Sequence, residues 1–281
     1  MVIGGGAIAN RFASYSLQSK HLLFVGSVHD SSIADAVKIS TEEDAIRAAL
    51  AAINNSVTFV YFSSCSIEDV TQGASPYVAH KKRMEQLIQA SASSYLIFRL
   101  PQVLGLADNE GGLVYGLVNA ITRGERFELW RDATRNFIDL DDVYSIVHAI
   151  LEDSANSNRV INIASPCPTP VSQLVGLLES YFGKSGNYEL VARGGSYPLD
   201  TSAISDVILK LGIDFGPGYL LRAVGKYYAH LLKPAPLLSV IVPTYNQALG
   251  IDEFYRRTKA VLARLQPRFN HELIFVNDFS V

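Results

Sequence analysis

Short apolar runs alternate with longer stretches of helical periodicity along the first four-fifths of the chain. Runs rich in Val, Ile and Phe predict buried strands at 1–3, 22–25, 58–62, 95–98 and 160–163. Apolar positions recur at helical spacing over 7–18, 42–54, 77–92, 111–123, 141–152, 170–182, 201–211 and 217–231. Strands that alternate with helices indicate βαβ units, so the sequence predicts an α/β fold with a parallel sheet and helices on both faces.

A proline-rich segment interrupts this pattern near the C-terminal end. Lys233-Pro234-Ala235-Pro236 contains two prolines in four residues, which stop a helix and favour an extended linker over 233–236. After it come a strand pattern at 238–242, a helix pattern at 251–265 and a second strand pattern at 272–276. The sequence therefore predicts one domain over 1–232 and a partial second α/β unit over 237–281.

Composition and charge exclude several classes of function. The chain has 281 residues, a net charge of −3, 48% apolar and 18% charged residues, which is typical of a globular protein without a nucleic-acid partner. The apolar runs are too short for a transmembrane segment. Cys65 and Cys167 are isolated, and the six histidines show no ligand spacing, so neither a disulfide nor a metal site is predicted. We expect a cytoplasmic protein.

A glycine loop follows the first predicted strand. Gly4, Gly6 and Ala9 form G-x-G-x-x-A between a strand and a helix. In a dinucleotide site the first glycine makes a tight turn, the second lets the backbone approach a pyrophosphate, and the small third residue allows close helix packing. The alternative is an ordinary strand–helix turn or a flexible N-terminal tail. The position between a strand and a helix favours the dinucleotide motif.

A tyrosine and a lysine lie four residues apart on the helix predicted at 77–92. This spacing places Tyr77 and Lys81 on one helix face. A phenol titrates near pH ~10, so a proton-transfer role at neutral pH needs a nearby positive charge such as an ammonium. Ser64, thirteen residues before Tyr77, offers a hydroxyl where the strand predicted at 58–62 ends. The alternative for Tyr77 and Lys81 is a solvated helix face, and for the serines a turn or N-cap cluster.

Four motifs together resemble the extended short-chain dehydrogenase/reductase family, also called the NAD-dependent epimerase/dehydratase family. They are the glycine loop, Phe-Ser-Ser-x-Ser (62–66) before Tyr-x-x-x-Lys (77–81), Phe-Arg-Leu-Pro-Gln-Val-Leu-Gly (98–105), and Arg-Asn-Phe-Ile-Asp-Leu-Asp-Asp-Val (135–143). The resemblance implies a Rossmann-type sheet over about 1–165 and a small substrate lobe mostly over 165–232. It implies a nucleotide-sugar substrate, NAD or NADP as cofactor, and a homodimer through the 42–54 and 77–92 helices.

The resemblance also implies roles for individual residues. Ser64 would polarise the sugar oxygen, Tyr77 would exchange its proton, and Lys81 would hold the nicotinamide ribose and lower the pKa of Tyr77. Substrate contacts are implied for Gln102 and Arg135, although Arg135 has the alternative of an ion pair with Asp141 or Asp142. The cofactor contacts implied by the family motifs are Gly4, Gly6, Ala7, Ile8, Ala9, Gly26, Ser27, Lys81 and Pro101.

The sequence is shorter than the family pattern in one place. The family has two more strand–helix units between the glycine loop and the catalytic serine, and they carry the grip on the adenosine ribose. Here one strand, at 22–25, fits that interval, and Ile3 replaces the first glycine of the usual loop. Specificity for NAD over NADP is then lost. An alternative is that cofactor binding itself is lost and that the domain is a non-catalytic sugar-nucleotide-binding module.

The segment after the linker resembles the opening strands of family-two glycosyltransferases. The resemblance rests on Leu-Leu-Ser-Val-Ile-Val-Pro-Thr-Tyr-Asn-Gln (237–247) and Glu-Leu-Ile-Phe-Val-Asn-Asp-Phe-Ser (272–280), where Phe279 replaces the usual glycine. It implies a nucleotide-sugar enzyme of surface polysaccharide biosynthesis. One alternative is that glycosyl transfer is the main activity of a longer protein, with the first domain as an accessory. The others are that the segment is a remnant of such an enzyme or a chance βαβ unit of Val and Ile.

Overall fold

The computed structural model describes residues 1–17, 20–26, 36–69, 75–105, 112–153, 157–232, 237–245, 250–263 and 270–277. The chain divides into two compact units, Met1–Ala229 and His230–Val281. The predicted boundary at 232 lies close to this division, and the predicted linker 233–236 lies outside the described residues. In the part of the chain that is described, no helix has the length and apolar character needed to cross a membrane.

The first unit contains strands and helices in alternation. Its strands are β1 (Val2–Ile3), β2 (His21–Phe24), β3 (Thr58–Ser64), β4 (Tyr95–Leu100), β5 (Gln102–Leu104), β6 (Arg126–Trp130), β7 (Thr134–Arg135), β8 (Phe137–Asp139), β9 (Arg159–Asn162), β10 (Thr169–Pro170) and β11 (Asn187–Val191). Its helices are α1 (Gly6–Arg11), α2 (Ala36–Ala52), α3 (Pro76–Ser91), α4 (Leu113–Arg123), α5 (Leu140–Glu152), α6 (Val171–Phe182), α7 (Ser205–Leu211) and α8 (Tyr219–Tyr228).

Five of these strands form the central sheet, in the order β1-β2-β3-β4-β9. All four neighbouring pairs are parallel, for example with Leu23 opposite Val2 and Phe98 opposite Phe62. Parallel sheets are buried on both faces, which explains why β2 to β4 read as nearly continuous apolar runs. The predicted parallel α/β sheet is confirmed, and the five predicted strands are its members.

Helices cover both faces of this sheet, as predicted. On one face Phe12, Val147 and their neighbours from α1 and α5 pack against Val60 and Phe98. On the other face Ile46 of α2 and Met84 and Ile88 of α3 pack against apolar side chains of β2 to β4. Complete burial of one such side chain contributes about 1.5–3 kcal/mol, so these two layers fix the positions of α1 and α3 relative to the strand ends.

The helix predicted over 7–18 is shorter in the structure. Helix α1 ends at Arg11, and a 3-10 turn follows over Ala13–Leu17. Side chains three residues apart eclipse one another in a 3-10 turn. The turn therefore directs both Phe12 and Tyr15 into the core, where both are fully buried and the Tyr15 hydroxyl lies 2.5 Å from His148 Nδ1.

The second half of this unit forms a lobe around α4, α6 and α8. Its core contains Leu117 and Ile121 of α4, Leu174 and Leu178 of α6, and Phe137 at the start of β8. Three two-stranded sheets accompany it: β5 with β8, β6 with β11, and β7 with β10. The sequence pattern did not predict these six strands. Four of them have only two or three residues, and the polar–apolar alternation of β6 (Arg-Phe-Glu-Leu-Trp) and β11 (Asn-Tyr-Glu-Leu-Val) extends over only five residues each.

The second unit contains β12 (Leu237–Thr244), α9 (Ile251–Ala263) and β13 (Asn270–Asn277). The two strands pair in parallel, with Val240 opposite Leu273. The predicted β-α-β order is thus present. The ends of the two glycosyltransferase-like motifs, with Asn246 and residues 278–281, lie outside the described residues.

Candidate active site

A cavity of about 150 Å³ opens at the carboxyl ends of β2, β3 and β4. Ligands of open α/β sheets bind at this edge because the helices and loops that follow the strands diverge there. Val25 and Gly26 follow β2, Ser63 and Ser64 end β3, and Leu100 ends β4. The lobe closes the other side with three aromatic side chains, Tyr115, Tyr197 and Tyr228.

Seven of the predicted site residues line this one cavity. They come from the glycine loop, the strand ends, α3 and β5, and they are Ile8, Gly26, Ser64, Tyr77, Lys81, Pro101 and Gln102. The fold thus brings together side chains that lie far apart in the sequence. Gly4, Gly6, Ala7, Ala9 and Arg135 do not line it. Ser27 lies outside the described residues.

Ser64 is the last residue of β3 and caps the short 3-10 turn that follows. Its hydroxyl oxygen accepts a hydrogen bond from the backbone N–H of Ser66 at 3.1 Å, which fixes the side chain at the cavity wall. Ser63 differs, because its hydroxyl donates to Glu85 Oε1 at 2.6 Å. Cys65 is buried, with its thiol directed to the carbonyl oxygen of Arg99.

Tyr77 and Lys81 lie on the buried face of α3, which starts with a proline at its first helical position. The two residues are only 7% and 3% exposed. The Lys81 ammonium lies 5.9 Å from the centroid of the Tyr77 ring. The alternative of a solvated helix face is therefore wrong for both residues, and the ammonium is close enough to act on the phenol through its field.

The Lys81 ammonium has two further partners that the sequence did not indicate. Lys81 Nζ donates to Glu42 Oε1 at 2.9 Å and to the Tyr61 hydroxyl oxygen at 3.0 Å. Burial lowers the pKa of Lys81, and the nearby carboxylate of Glu42 opposes that shift. Burial and the same carboxylate raise the pKa of Tyr61 well above its ordinary value.

Glu42 escaped prediction because the pattern placed the start of its helix at residue 42. An acidic residue in the first turn of a helix is usually explained by the helix dipole. Helix α2 instead begins at Ala36, so Glu42 lies well inside it and points into the protein. The sequence does contain a signal for the burial of Glu42. It lies four residues before Ile46, so the two share a helix face, and Ile46 belongs to the core.

The glycine loop is tightly packed against the end of β2. Gly4 has a φ of +122°, and a Cβ there would meet the carbonyl oxygen of Val25 at 2.2 Å. Gly6 has a φ of +79°, which is also a conformation that glycine alone adopts easily. Ala9 is buried in the sheet–helix core. The residue types at these three positions are therefore required by backbone conformation and close packing.

Gln102 and Arg135 differ in their relation to the cavity. Gln102 lies on β5 and lines it. Arg135 Nη1 donates to the carbonyl oxygens of Thr134 at 2.8 Å and Gly195 at 3.2 Å. The proposed alternative of an ion pair with Asp141 or Asp142 is wrong, because Asp141 pairs with Arg11 and Lys226 and Asp142 accepts from Tyr219.

Tyr197 of the lobe is a cavity residue that the sequence did not indicate. Burial raises the pKa of Tyr197 to about 12, and the positive charge of Arg135 opposes that rise. Arg135, which does not line the cavity, thus acts through its charge on a side chain that does. No sequence signal marked Tyr197, because it lies in a segment without regular structure whose position is set by the whole lobe.

This chain matches a protein-family model, and its fold is similar to that of several solved structures. Residues 21–164, just over half of the chain, match the model of the NAD dependent epimerase/dehydratase family. The fold is similar to that of MoeE5 in complex with UDP-glucuronic acid and NAD, at 17% identity and a TM-score of 0.59, over 80% of this chain and 96% of that chain. No curated protein matches the sequence.

Two further solved structures share the fold. RMD from Pseudomonas aeruginosa, complexed with NADPH, is 17% identical, with a TM-score of 0.52 over 70% of this chain and 89% of that chain. UDP-glucose 4-epimerase from Thermotoga maritima, with UDP-glucose, is 18% identical, with a TM-score of 0.52 over 71% of this chain and 74% of that chain. Because the family model matches just over half of the chain, the chain belongs to the NAD dependent epimerase/dehydratase family.

Proposed function

We propose that this protein is an NAD(P)-dependent nucleotide-sugar epimerase, dehydratase or reductase. The observation that carries the proposal is the convergence of Ser64, Tyr77 and Lys81 on one cavity at the carboxyl ends of β2 to β4. A buried phenol beside a buried ammonium is the arrangement that proton transfer at neutral pH requires. The family match supports the same conclusion.

The residues around the cavity fit the nicotinamide end of a dinucleotide. Gly26 lets the backbone approach a ligand, Ile8 and Pro101 offer apolar surface, and Lys81 offers an ammonium within the cavity wall. When bound, the nicotinamide supplies the hydride acceptor or donor. NAD and NADPH are the cofactors in the related structures of MoeE5 and RMD, which supports either form for this chain.

Three side chains would carry the reaction, two at the sugar and one at Tyr77 and the cofactor. We assign to the Ser64 hydroxyl a hydrogen bond that polarises the reacting oxygen. Tyr77 takes the hydroxyl proton as the carbon loses its hydride, and it returns a proton in the reverse direction. Lys81 stabilises the phenolate and binds the cofactor ribose. The bound sugar nucleotides of MoeE5 and of the Thermotoga maritima epimerase support a nucleotide sugar as substrate, with Gln102 on the substrate side of the cavity.

The segment after the linker suggests the pathway. Its strand motifs at 237–247 and 272–280 resemble the start of a family-two glycosyltransferase, and β12 and β13 pair in parallel as such a start requires. We therefore place the enzyme in surface polysaccharide biosynthesis. In an alternative form of this proposal, glycosyl transfer is the main activity of a longer protein. The first unit is then an accessory that supplies the sugar nucleotide.

Calorimetric titration of the full chain with NAD, NADH, NADP and NADPH tests the proposal. We expect at least one form to bind, and Lys81→Ala to weaken that binding by about tenfold or more, because a buried charged hydrogen-bond donor is lost. Lys82→Ala is the matched control, since Lys82 is the next residue and is exposed. A folded parent protein that binds none of the four forms would overturn the proposal.

A second candidate is a non-catalytic sugar-nucleotide-binding domain. The observation that favours it is that the Lys81 ammonium already donates to Glu42 and Tyr61, so its charge is partly balanced within the protein. Binding of a nucleotide sugar without any hydride exchange would support this candidate. Hydride exchange that depends on Tyr77 would exclude it.

A further inference from the structure

A carboxylate, an ammonium and a phenol form a closed cluster beneath the cavity. Glu42 Oε1 accepts from Lys81 Nζ at 2.9 Å and from the Tyr61 hydroxyl at 2.8 Å, while Lys81 Nζ also donates to the Tyr61 oxygen at 3.0 Å. The three residues come from α2, α3 and β3, so the cluster joins three elements. The side chains of Glu42 and Lys81 are 0% and 3% exposed.

The two charges depend on each other because water does not reach them. A buried charge without a partner is strongly destabilising, and a buried lysine without one releases its proton. Burial lowers the pKa of Lys81, and Glu42 is the largest influence that raises it. Glu42, at 2.9 Å, thus supplies a buried counter-charge directly beside the Lys81 ammonium.

The cluster adjoins the cavity wall at Gly26. A Cβ at Gly26 would lie 2.6 Å from Glu42 Oε1, and Gly26 and Lys81 both line the cavity. The absence of a side chain at this position therefore leaves the space that the Glu42 carboxylate occupies. The same glycine that lets a ligand approach on one side accommodates the acid on the other.

We infer that Glu42 is a positioning residue for the Tyr77–Lys81 pair: its carboxylate holds the Lys81 ammonium in place between Tyr61 and the cavity, and keeps it protonated. Glu42 does not reach a reacting atom in this account. It acts through Lys81. The effect of Glu42 on catalysis rests on the proposed function. Its effect on the position and protonation of Lys81 can be measured on the protein without cofactor or substrate.

Several titratable groups face this cluster from the elements around it. His80 Nε2 lies 3.4 Å from Glu42 Oε1 and has no hydrogen bond among the described residues. Glu85 acts on Lys81 from the next turn of α3 and opposes the effect of burial on its pKa. Around Lys81 thus lie Glu42 from α2, Tyr61 from β3, and Tyr77 and Glu85 from α3, while His80 of α3 lies beside Glu42.

Nuclear magnetic resonance of the full chain, prepared with carbon-13-labelled lysine and without cofactor, tests the inference. The Lys81 signal is identified by its loss in Lys81→Met and followed against pH. We expect Glu42→Gln to lower the pKa of Lys81 by about one unit or more, a tenfold shift in the protonation equilibrium, because the amide carries no counter-charge. Glu43→Gln is the matched control: Glu43 is the next residue and pairs with Arg47 and Arg83. An unchanged Lys81 titration in Glu42→Gln would overturn the inference.

A double-mutant cycle keeps the inference testable if Glu42→Gln folds poorly. Replacing Lys81 by Met in the Glu42→Gln background removes the uncompensated charge, so we expect the thermal midpoint to recover. If Glu42→Gln lowers the thermal midpoint by the same amount in the parent and in Lys81→Met, Glu42 acts independently of Lys81. That result would contradict the inference.

The pH dependence of hydride transfer separates this inference from the proposed function. An active enzyme needs the protonated lysine, so activity falls as the pH rises through the pKa of Lys81. We expect this fall at lower pH in Glu42→Gln and at the parental pH in Glu43→Gln. A parent protein without hydride transfer would overturn the proposed function, and the cofactor-free titration would still decide the role of Glu42.

Discussion

Four consecutive residues with hydroxyl or thiol groups follow Phe62, and their surroundings separate their roles. Ser63 donates to Glu85, which also accepts two hydrogen bonds from Arg99. Ser63, Ser64 and Ser66 all line the cavity, and the Ser64 hydroxyl oxygen accepts from a backbone N–H. The thiol of Cys65 is buried, and burial raises its pKa above the ordinary range. The Ser63 hydroxyl already donates within the protein, whereas the hydrogen bond of Ser64 leaves its hydroxyl proton for a substrate.

Alanine at two neighbouring serines should have different effects. We expect Ser64→Ala to reduce turnover by at least about tenfold through loss of a hydrogen bond to the reacting oxygen, and to lower the free energy of unfolding by about 1 kcal/mol through loss of the turn cap. We expect Ser63→Ala to lower the free energy of unfolding by about 1 kcal/mol as well, because Glu85 loses a buried donor, and to leave turnover close to the parental value. Denaturant unfolding and turnover of both variants check this. Loss of turnover in Ser63→Ala alone would move the catalytic role to Ser63.

The sequence predicted the tyrosine and the lysine but not the environment of the lysine. Tyr77 and Lys81 follow from a four-residue spacing on one helix, which is local information. The contact between Lys81 and Glu42 joins residues 39 positions apart. It depends on where α2 begins and how it packs on the sheet, and tertiary packing of this kind is not encoded in local periodicity.

At the scale of elements, a charged network joins three helices near the lobe. Asp141 at the start of α5 accepts from Arg11 of α1 at 2.7 Å and from Lys226 of α8 at 2.6 Å. Lys226 also pairs with Asp139, the N-cap residue of α5. Tyr219 of α8 donates to Asp142 at 2.6 Å. The start of α5 is thus the point at which the lobe and the sheet helices are joined by polar contacts.

Stability should depend on Asp141 in a pH-dependent way. Hydrogen bonds from Lys226 and Arg11 hold the pKa of Asp141 below its ordinary value. A carboxylate with a depressed pKa stabilises the fold above its ordinary pKa, and this contribution is lost as the pH falls through the folded-state value. Asp141→Asn should therefore lower the thermal midpoint at neutral pH and have little effect in strong acid. An equal decrease of the thermal midpoint at neutral pH and in strong acid would show that the charge of Asp141 is not the source of its contribution to stability.

Strand prediction succeeded in the sheet and failed in the lobe for a physical reason. The strands β2, β3 and β4 are buried on both faces and carry uninterrupted apolar runs. In contrast, β6 and β11 form a two-stranded ribbon whose side chains are mostly exposed. Their sequences, Arg-Phe-Glu-Leu-Trp and Asn-Tyr-Glu-Leu-Val, alternate polar and apolar residues over five positions but lack the continuous apolar run that marks the strands of the sheet.

At the scale of the whole molecule, the sheet ends at β1. In the described residues, β1 pairs with β2 alone, and β2 is the only strand between the glycine loop and β3. The shortened interval predicted from the sequence is therefore visible in the strand order. The further strands that carry an adenosine ribose site in the family have no counterpart in the described part of the chain.

Cofactor affinity should reflect this shortened sheet. We expect NADH and NADPH to bind within about threefold of each other, and reduced nicotinamide mononucleotide to bind within about tenfold of NADH, a difference of about 1.4 kcal/mol. The reason is that the cavity residues we assign to the cofactor, such as Gly26 and Lys81, lie at the end we assign to the nicotinamide, and that the described strands include no counterpart of the family's adenosine site. Competition titrations by nicotinamide fluorescence measure these ratios. A preference of about a thousandfold for NADH over the mononucleotide would show a strong adenosine site.

The most direct test of the account is hydride transfer from a nucleotide sugar to NAD or NADP. The full chain is mixed with NAD or NADP and a panel of nucleotide sugars, including UDP-glucose and UDP-glucuronic acid. Because an epimerase or a dehydratase returns the hydride to the sugar, the sugar product is followed by chromatography together with the absorbance of the reduced nicotinamide. We predict cofactor-dependent conversion of at least one sugar, and a decrease of about a hundredfold or more in Tyr77→Phe, because the phenylalanine ring cannot exchange a proton. Conversion at the parental rate in Tyr77→Phe, or none by a folded parent that binds the cofactor, would contradict the account.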